Sequence, residues 1–425
     1  MKKIILTIII TLCIQSIYAQ GFMDEIRTNP TISAGNYLAY PDKDHIKLTP
    51  SPVGYIPFHM EHYGRHGSRW LINEKQYTRP IEALEKAKKY NVLTQKGINT
   101  LKKLKAVHKA AANRFGELTD LGAEQHRNIA KRMFYNFPEI FADSAHVDAR
   151  STIVIRCILS MENECQQLKE MNPQIRIFHD ASNADMYYMN YYDDSIHAIH
   201  DKARAIYKEI TAKPLPYERF ISQLINDVDF TKDSIDAVTT MENLFEIAGN
   251  MQSHNFGFDF YDLFTCEELY ALWERWNLFW YLGYGNSKQL DGKLPFIQRN
   301  LLHNIIESAD NAIKSKDNGA SLRFGHEICV LPLACLMELG DCNRRVEDLN
   351  RLADEWHSHK IFPMASNIQM IFYRNQTNDD ILVKVLLNEE ETTLPIHTPH
   401  APYYRWEDLR NYYIDKLQNK FNGFH

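Results

Sequence analysis

Apolar and polar positions along this chain follow two periods in turn, one suited to strands and one to helices. Tyr55-Ile-Pro-Phe-His-Met reads as a strand that runs into a turn bounded by Gly64 and Gly67. Pro80 to Tyr90 predicts a helix with proline in its first turn, and Leu118 to Phe134 predicts a second, capped by Thr119. Ser151-Thr-Ile-Val-Ile-Arg156 is β-branched and strand-like, Met161 to Met171 turns helical, and Gln174-Ile-Arg-Ile-Phe is the next strand. Such alternation favours an α/β sheet. From Asp185 to Glu307 the strand signals fade and aromatic-rich helical segments take over, Leu244 to Ile247 and Leu269 to Tyr281 among them. The α/β pattern resumes with Ser321-Leu-Arg-Phe-Gly-His, followed by an apolar helix from Ile328 to Leu339. Two β-rich runs, Ile368 to Tyr373 and Ile381 to Leu387, flank Asn375-Gln-Thr-Asn-Asp-Asp and predict a hairpin. Arg405 to Phe421 closes the chain as a helix. The expected architecture is a discontinuous α/β core over 20–184 and 308–425, with a mainly helical cap inserted over 185–307.

The first twenty residues follow neither period. Met1-Lys2-Lys3, an apolar run from Ile4 to Ile14 and a small residue before Gln20 read as a secretory signal peptide cleaved after Ala19. The run falls short of the ~20 residues that span a bilayer, and Leu12 is a poor lipobox residue before Cys13. No later segment has transmembrane length, so the expected place is periplasmic or secreted, without stable membrane association. Composition is that of an ordinary globular chain, 44% hydrophobic and 24% charged over 425 residues. The net charge is −6, or −8 once Lys2 and Lys3 are removed, which argues against a general nucleic-acid binder. Any polyanionic ligand must therefore meet a local basic pocket. In an oxidising compartment, Cys157, Cys165, Cys266, Cys329, Cys335 and Cys342 permit up to three disulfides. Several of them sit in apolar surroundings that suit buried thiols equally well.

The sharpest chemistry lies in Tyr63-Gly64-Arg65-His66-Gly67-Ser68-Arg69-Trp70. Guanidinium forks match phosphate oxygens, and glycine lets the backbone approach a ligand closely. Two neighbouring guanidinium charges disfavour imidazolium, which keeps His66 neutral and nucleophilic. Taken alone, the segment also fits a surface cluster with no function. His59 and His62 with His66 invite a metal reading, but the spacing is not HExxH, and on a strand His59 and His62 face opposite sides.

In these residues the chain resembles the branch-two histidine phosphatases, the histidine acid phosphatase and phytase group, whose signature is Arg-His-Gly-x-Arg-x-Pro. The match runs through Arg69, with Leu71 where the pattern has proline. The resemblance implies a central mixed sheet flanked by helices, a phosphorylated His66, and phosphoryl binding by Arg65 and Arg69. Gly116-Glu-Leu-Thr-Asp-Leu-Gly is similar to a further family stretch, and Arg150 to Ser160 to the segment that supplies a third phosphate-binding arginine, here Arg156. Leu322-Arg323-Phe324-Gly325-His326 and Leu331-Pro332-Leu333 resemble the inositol-polyphosphate subgroup, which continues His-Ala-Glu where acid phosphatases have His-Asp. Here Glu327 follows His326 directly, and Ile328 stands at the subgroup's glutamate position.

A departing alkoxide needs a proton, and a positioned carboxylic acid is the usual source. Glu327 is the only acid between residues 318 and 337, so it is the candidate donor. Arg323 is expected to be structural or rim-facing. His66 and Glu327 are thus the expected catalytic pair, with Arg65, Arg69, Arg156 and His326 binding the phosphoryl group. A helix opening after His326 would add N–H groups favourable to phosphate. No metal or cofactor is called for, because guanidiniums do the charge work of a divalent ion. The expected partner is a small phosphate ester, phytate above all. Lys202, Arg204, Lys208, Lys213, Arg219, Lys293 and Arg299 are candidate cations for its outer phosphates. The contiguous His-Glu also suits a broad acid or sugar-phosphate phosphatase, and a silent phosphate-ligand binding protein on the same fold is the reading from outside enzymology.

Overall fold

The computed structural model describes residues 21–43, 46–190, 196–315 and 317–419. The expected signal segment, residues 1–19, lies outside them. Eight strands form one sheet: β1 (Tyr55–Arg65), β2 (His146–Ser151), β3 (Arg176–Asp180), β4 (Gly319–Gly325), β5 (Asn367–Asn375), β6 (Ile381–Leu387), β7 (Glu390–Glu391) and β8 (Tyr404–Arg405). Their order is β3-β2-β4-β1-β5-β6-β7, with β8 paired to β6. The β3, β2, β4 and β1 neighbours are parallel, and from β5 onwards the pairing is antiparallel. The sheet is mixed, as expected, and the predicted hairpin is β5–β6.

Strand alternation sorts the sheet's side chains onto two faces. Met60, Leu322, Phe324 and Ile371 bury against α3 (Asp120–Asn136) and α4 (Ile155–Met171) through Ile129, Met133, Met161 and Leu168. Phe58, Tyr63, Met370 and Phe372 pack on the other face with α8 (Arg299–Ser315), α9 (Glu327–Leu336) and α10 (Trp406–Asn419). A third apolar cluster lies among helices. Tyr77, Leu84, Leu101 and Leu104 of α1 (Glu74–Lys89) and α2 (Gln95–Ala111) meet Leu244 and Phe245 of α6 (Ala237–Asn250) and Leu272 and Trp273 of α7 (Cys266–Tyr284). Between β3 and β4 the described residues contain no strand, and α5 (His197–Ile210), α6, α7 and α8 are the longer helices there.

Two local expectations are corrected. The first helix begins at Glu74, not at Pro80, because Asn73 and Gln76 form a capping box that opens it one and a half turns earlier and leaves Pro80 inside the helix. The strand expected over 151–156 runs from His146 to Ser151 instead. Its β-branched tail leaves the sheet: Ile153 and Ile155 are exposed and Arg156 falls in the first turn of α4. Of the two settings the sequence left open for the cysteines, all six described ones are free thiols, five buried and Cys266 half-buried. No helix among the described residues is long and apolar enough to cross a membrane.

Candidate active site

The sheet register builds the site. β1 and β4 run parallel with Arg65 opposite Gly325, so the next residue on each strand, His66 and His326, emerges at the same carboxyl edge. Ligands in α/β sheets collect at such an edge. The two imidazoles lie 5.7 Å apart between ring centroids, nearly perpendicular. β2 ends beside them with Ser151 opposite Phe324, and the loop that follows carries Arg156 into place. Gly67 is required by packing: a Cβ there would come within 2.4 Å of the Gly122 carbonyl oxygen, and one on Gly122 within 2.2 Å of Ser68 O. The signature turn and α3 therefore touch backbone to backbone.

Polar contacts fix the turn from several sides. Ser68 N donates to Gln125 Oε1 at 2.9 Å, Gly67 N to Ser160 Oγ at 3.1 Å, and Thr119 N and Oγ1 both donate to Ser68 O. Arg65 is fully buried, and its Nη1 donates to the carbonyls of Asn36 and Phe362 at 2.7 and 2.9 Å. Its remaining edge faces Glu327, with Nε 3.1 Å from Oε2 at an angle that misses a hydrogen bond. Arg69 donates from Nη1 to the Trp70 carbonyl at 3.0 Å, and its guanidinium lies 5.2 Å over the Tyr37 ring centroid. Arg156 makes only a long 3.5 Å contact to Gly116 O. His326 caps α9, and its Nε2 lies 3.3 Å from Thr152 Oγ1.

His66 Nδ1 lies 2.9 Å from the Gly67 carbonyl, which can only accept, so Nδ1 carries the proton. Nε2 then holds the free lone pair, 3.6 Å from Glu327 Oε2. That Nε2 is buried without a hydrogen-bond partner, as are Arg65 Nε and Nη2, Arg69 Nε, Arg156 Nε and Glu327 Oε2. Buried polar groups are normally paired, so donors left over on three guanidiniums around one lone pair define an oxyanion cradle. His66, His326 and Glu327 also place one ligating atom each within 4.8 Å of one another. Three guanidiniums facing the same space favour an anion there over a cation.

Charge states follow from burial and these neighbours. Burial pushes His66 well below the usual imidazole range, and Arg156 and Arg65 push the same way against Glu327. Burial and the same guanidiniums hold His326 down to about 4, although Glu327 pulls upward. Arg65 falls to about 10 through burial, with Glu327 limiting the fall. Burial alone would raise Glu327, but Arg65, and then Arg69, hold its carboxyl well below the usual carboxylate range. Both imidazoles are therefore neutral, and the carboxylate is the counter-ion of Arg65.

All six site residues expected from the sequence meet in this cradle. Three of the candidate outer cations lie in other settings: Arg219 forks onto Glu268, Arg204 pairs with Asp201, and Lys293 lines a separate cavity with Glu338 and Arg345. Arg323 is structural, buried with Nη1 2.6 Å from Glu61 Oε2. His59 turns to Glu61 and His62 to Phe324 on the opposite face, so the two do not converge. Sequence reading missed the supports, Asn36, Tyr37, Gln125, Ser160, Glu246 and Asn250. Asn36 contributes to Arg65 through its carbonyl, a contact with no side-chain signature.

The family model for the histidine phosphatase superfamily (branch 2) matches residues 64–388, and the chain belongs to that family. No curated protein sequence matches the chain. Among solved structures, the multiple inositol polyphosphate phosphatase of Bifidobacterium longum in complex with inositol hexasulfate is similar at 16% identity and a TM-score of 0.75, over 89% of this chain and 96% of that one. Its complex with phosphate matches at 19% identity and a TM-score of 0.74, over 90% and 97%. The phytase from D. castellii matches at 14% identity and a TM-score of 0.65, over 91% and 85%. At these identities the likeness is one of fold.

Proposed function

We propose that this chain is an exported phosphomonoesterase that hydrolyses inositol polyphosphates such as phytate through a phosphohistidine. His66 Nε2 attacks phosphorus in line, and the phosphoryl oxygens take up the unpaired donors of Arg65, Arg69 and Arg156 together with an N–H of His326. An arriving phosphate dianion replaces Glu327 as the counter-charge of Arg65. Burial then dominates the carboxyl, which takes up a proton and delivers it to the departing alkoxide. Water attacks the phosphohistidine in the second step, with Glu327 receiving its proton. The segment 185–307 serves as the cap over this edge of the sheet, and residues 1–19 direct export.

One observation carries the reading: a neutral imidazole with its lone pair exposed to an acid and to leftover guanidinium donors. The inositol-polyphosphate preference rests on fold likeness and on the Leu322-to-His326 and Leu331-to-Leu333 stretches. Because Glu327 directly follows His326, a broad acid or sugar-phosphate phosphatase is the second reading. Rapid quenching with labelled phytate should trap an acid-labile, base-stable phosphoryl group on the wild-type chain and none on His66→Ala. Label retained by His66→Ala would end the nucleophile assignment. Rates on phytate against an aryl and a hexose phosphate separate the two substrate readings.

A further inference from the structure

Arg69 is gripped by helix α6 at two points one turn apart. Asn250 Nδ2 donates to the Arg69 carbonyl at 2.9 Å. Four residues earlier, Glu246 Oε1 accepts from the buried Tyr37 hydroxyl at 2.8 Å, and the Tyr37 ring carries the Arg69 guanidinium on its face. Residues four apart share one face of a helix, so α6 addresses both the backbone and the side chain of this arginine. Gln76, the capping residue of α1, also donates to Glu246 Oε1. Glu246 is thereby held in place by two donors from outside its own helix.

We infer that Tyr37, Glu246 and Asn250 form a positioning relay through which α6 aims Arg69 at the phosphoryl group while keeping its charge free. A carboxylate touching Arg69 would neutralise it and compete with a phosphate for its donors. With Tyr37 in between, the negative charge stands one side chain back and the guanidinium meets a π-face, which attracts cations without using up their N–H groups. Arg69 accordingly keeps Nε unpaired and stays charged in a buried site, where the carboxylates of Glu327 and Glu246 favour its charge against the cost of burial. Burial and Glu246 both disfavour ionisation of Tyr37, so the phenol remains the donor in its bond to Glu246. Tyr37 and Glu246 are separated by 209 residues, which ties the N-terminal segment and the helical region to one phosphate-binding side chain.

The inference rests on phosphate binding at Arg69, so its test measures binding rather than turnover. Inorganic phosphate is titrated calorimetrically into the full chain as wild type, Tyr37→Phe, Arg69→Ala and the double variant. Tyr37→Phe keeps the ring and frees Glu246, and it should raise the phosphate Kd about tenfold in the wild-type background but less than twofold beside Arg69→Ala. A merely structural role predicts equal losses in the two backgrounds, a result that overturns the relay, as does no loss in either. If circular dichroism shows Tyr37→Phe unfolded, Glu246→Ala in the same cycle is judged by the same criterion. A wild-type chain that binds no phosphate overturns the functional reading and the relay together. Wild-type binding left untouched by the variants overturns the relay alone.

Discussion

Anion binding to this site should be coupled to the uptake of a proton by Glu327. In the free protein its carboxyl is ionised, held well below the usual carboxylate range by Arg65 and Arg69 against the upward push of burial. Oε2 sits 3.1 Å from Arg65 Nε and 3.6 Å from His66 Nε2, the volume an oxyanion must share. Like charges about 4 Å apart repel by ~4 kcal/mol at an effective dielectric near 20, hence ~8 kcal/mol for a dianion against a carboxylate. Each 1.36 kcal/mol is tenfold in protonation, so the carboxyl gains a proton as the ligand enters. Sulfate isolates the effect because it brings no proton of its own. Proton uptake on binding means weaker binding as pH rises, about tenfold per unit above the free carboxyl's titration. From pH 5 to pH 7 the loss should approach a hundredfold. Arg65, Arg69, Arg156, His66, His326, Cys157 and Cys329 also face this group, and His326, near 4, adds its own uptake at the acid end. Glu327→Gln is therefore the comparison. It should flatten the slope and bind sulfate well over a hundredfold more tightly at pH 7. Calorimetry in buffers of different ionisation enthalpy reads the proton directly, near one for the wild type and near zero for the variant. Equal slopes in the two proteins would refute the displacement.

Other expectations concern the scaffold. Gly122→Ala drives a methyl against Ser68 O and N, so it should cost ~1–3 kcal/mol in urea unfolding and weaken sulfate binding together, because the same peptide carries the signature turn. Arg323→Met strands Glu61 on the central strand with His59 and Ser308 as its remaining partners and should cost ~3–5 kcal/mol of stability; a loss under 1 kcal/mol would show that the pair is dispensable. His62 is pushed down to about 3, by burial first and then by His126 and Arg323. Between pH 6.5 and 3 the unfolded chain protonates this histidine and the folded chain does not. Stability should fall with pH in that window by ~1.4 kcal/mol per unit from this group, and His62→Phe should remove that share of the slope.

Contiguity decided what could be read in advance. Arg65, His66 and Arg69 occupy one turn, and His326 and Glu327 are adjacent, so motif and chemistry coincide in the sequence. The parallel register of β1 and β4 that joins them, with each histidine just past its strand's last residue, is a long-range pairing the local pattern did not show. Arg156 was found through its motif while its setting was misread. Thr152-Ile153-Val154-Ile155 has β propensity, yet Thr152 is buried against His326, Ile153 and Ile155 are exposed, and the stretch leads into an uncapped helix, a case of tertiary context overriding local preference. Asn36 and Phe362 reach Arg65 through carbonyls that every residue possesses, so no side-chain pattern marks them. Tyr37 and Glu246 meet only in three dimensions, and each alone reads as an ordinary aromatic or a helix-surface acid.

The guanidinium of Arg65 bridges two carbonyls, one 29 residues before it and one 297 residues after it. Until synthesis has passed Phe362, that arginine lacks half of its anchorage, and a nascent or truncated chain presents a loose cation in place of an aimed one. Competence to hold an anion thus depends on both segments, and loss of either carbonyl contact would loosen the centre without changing any residue that faces the ligand.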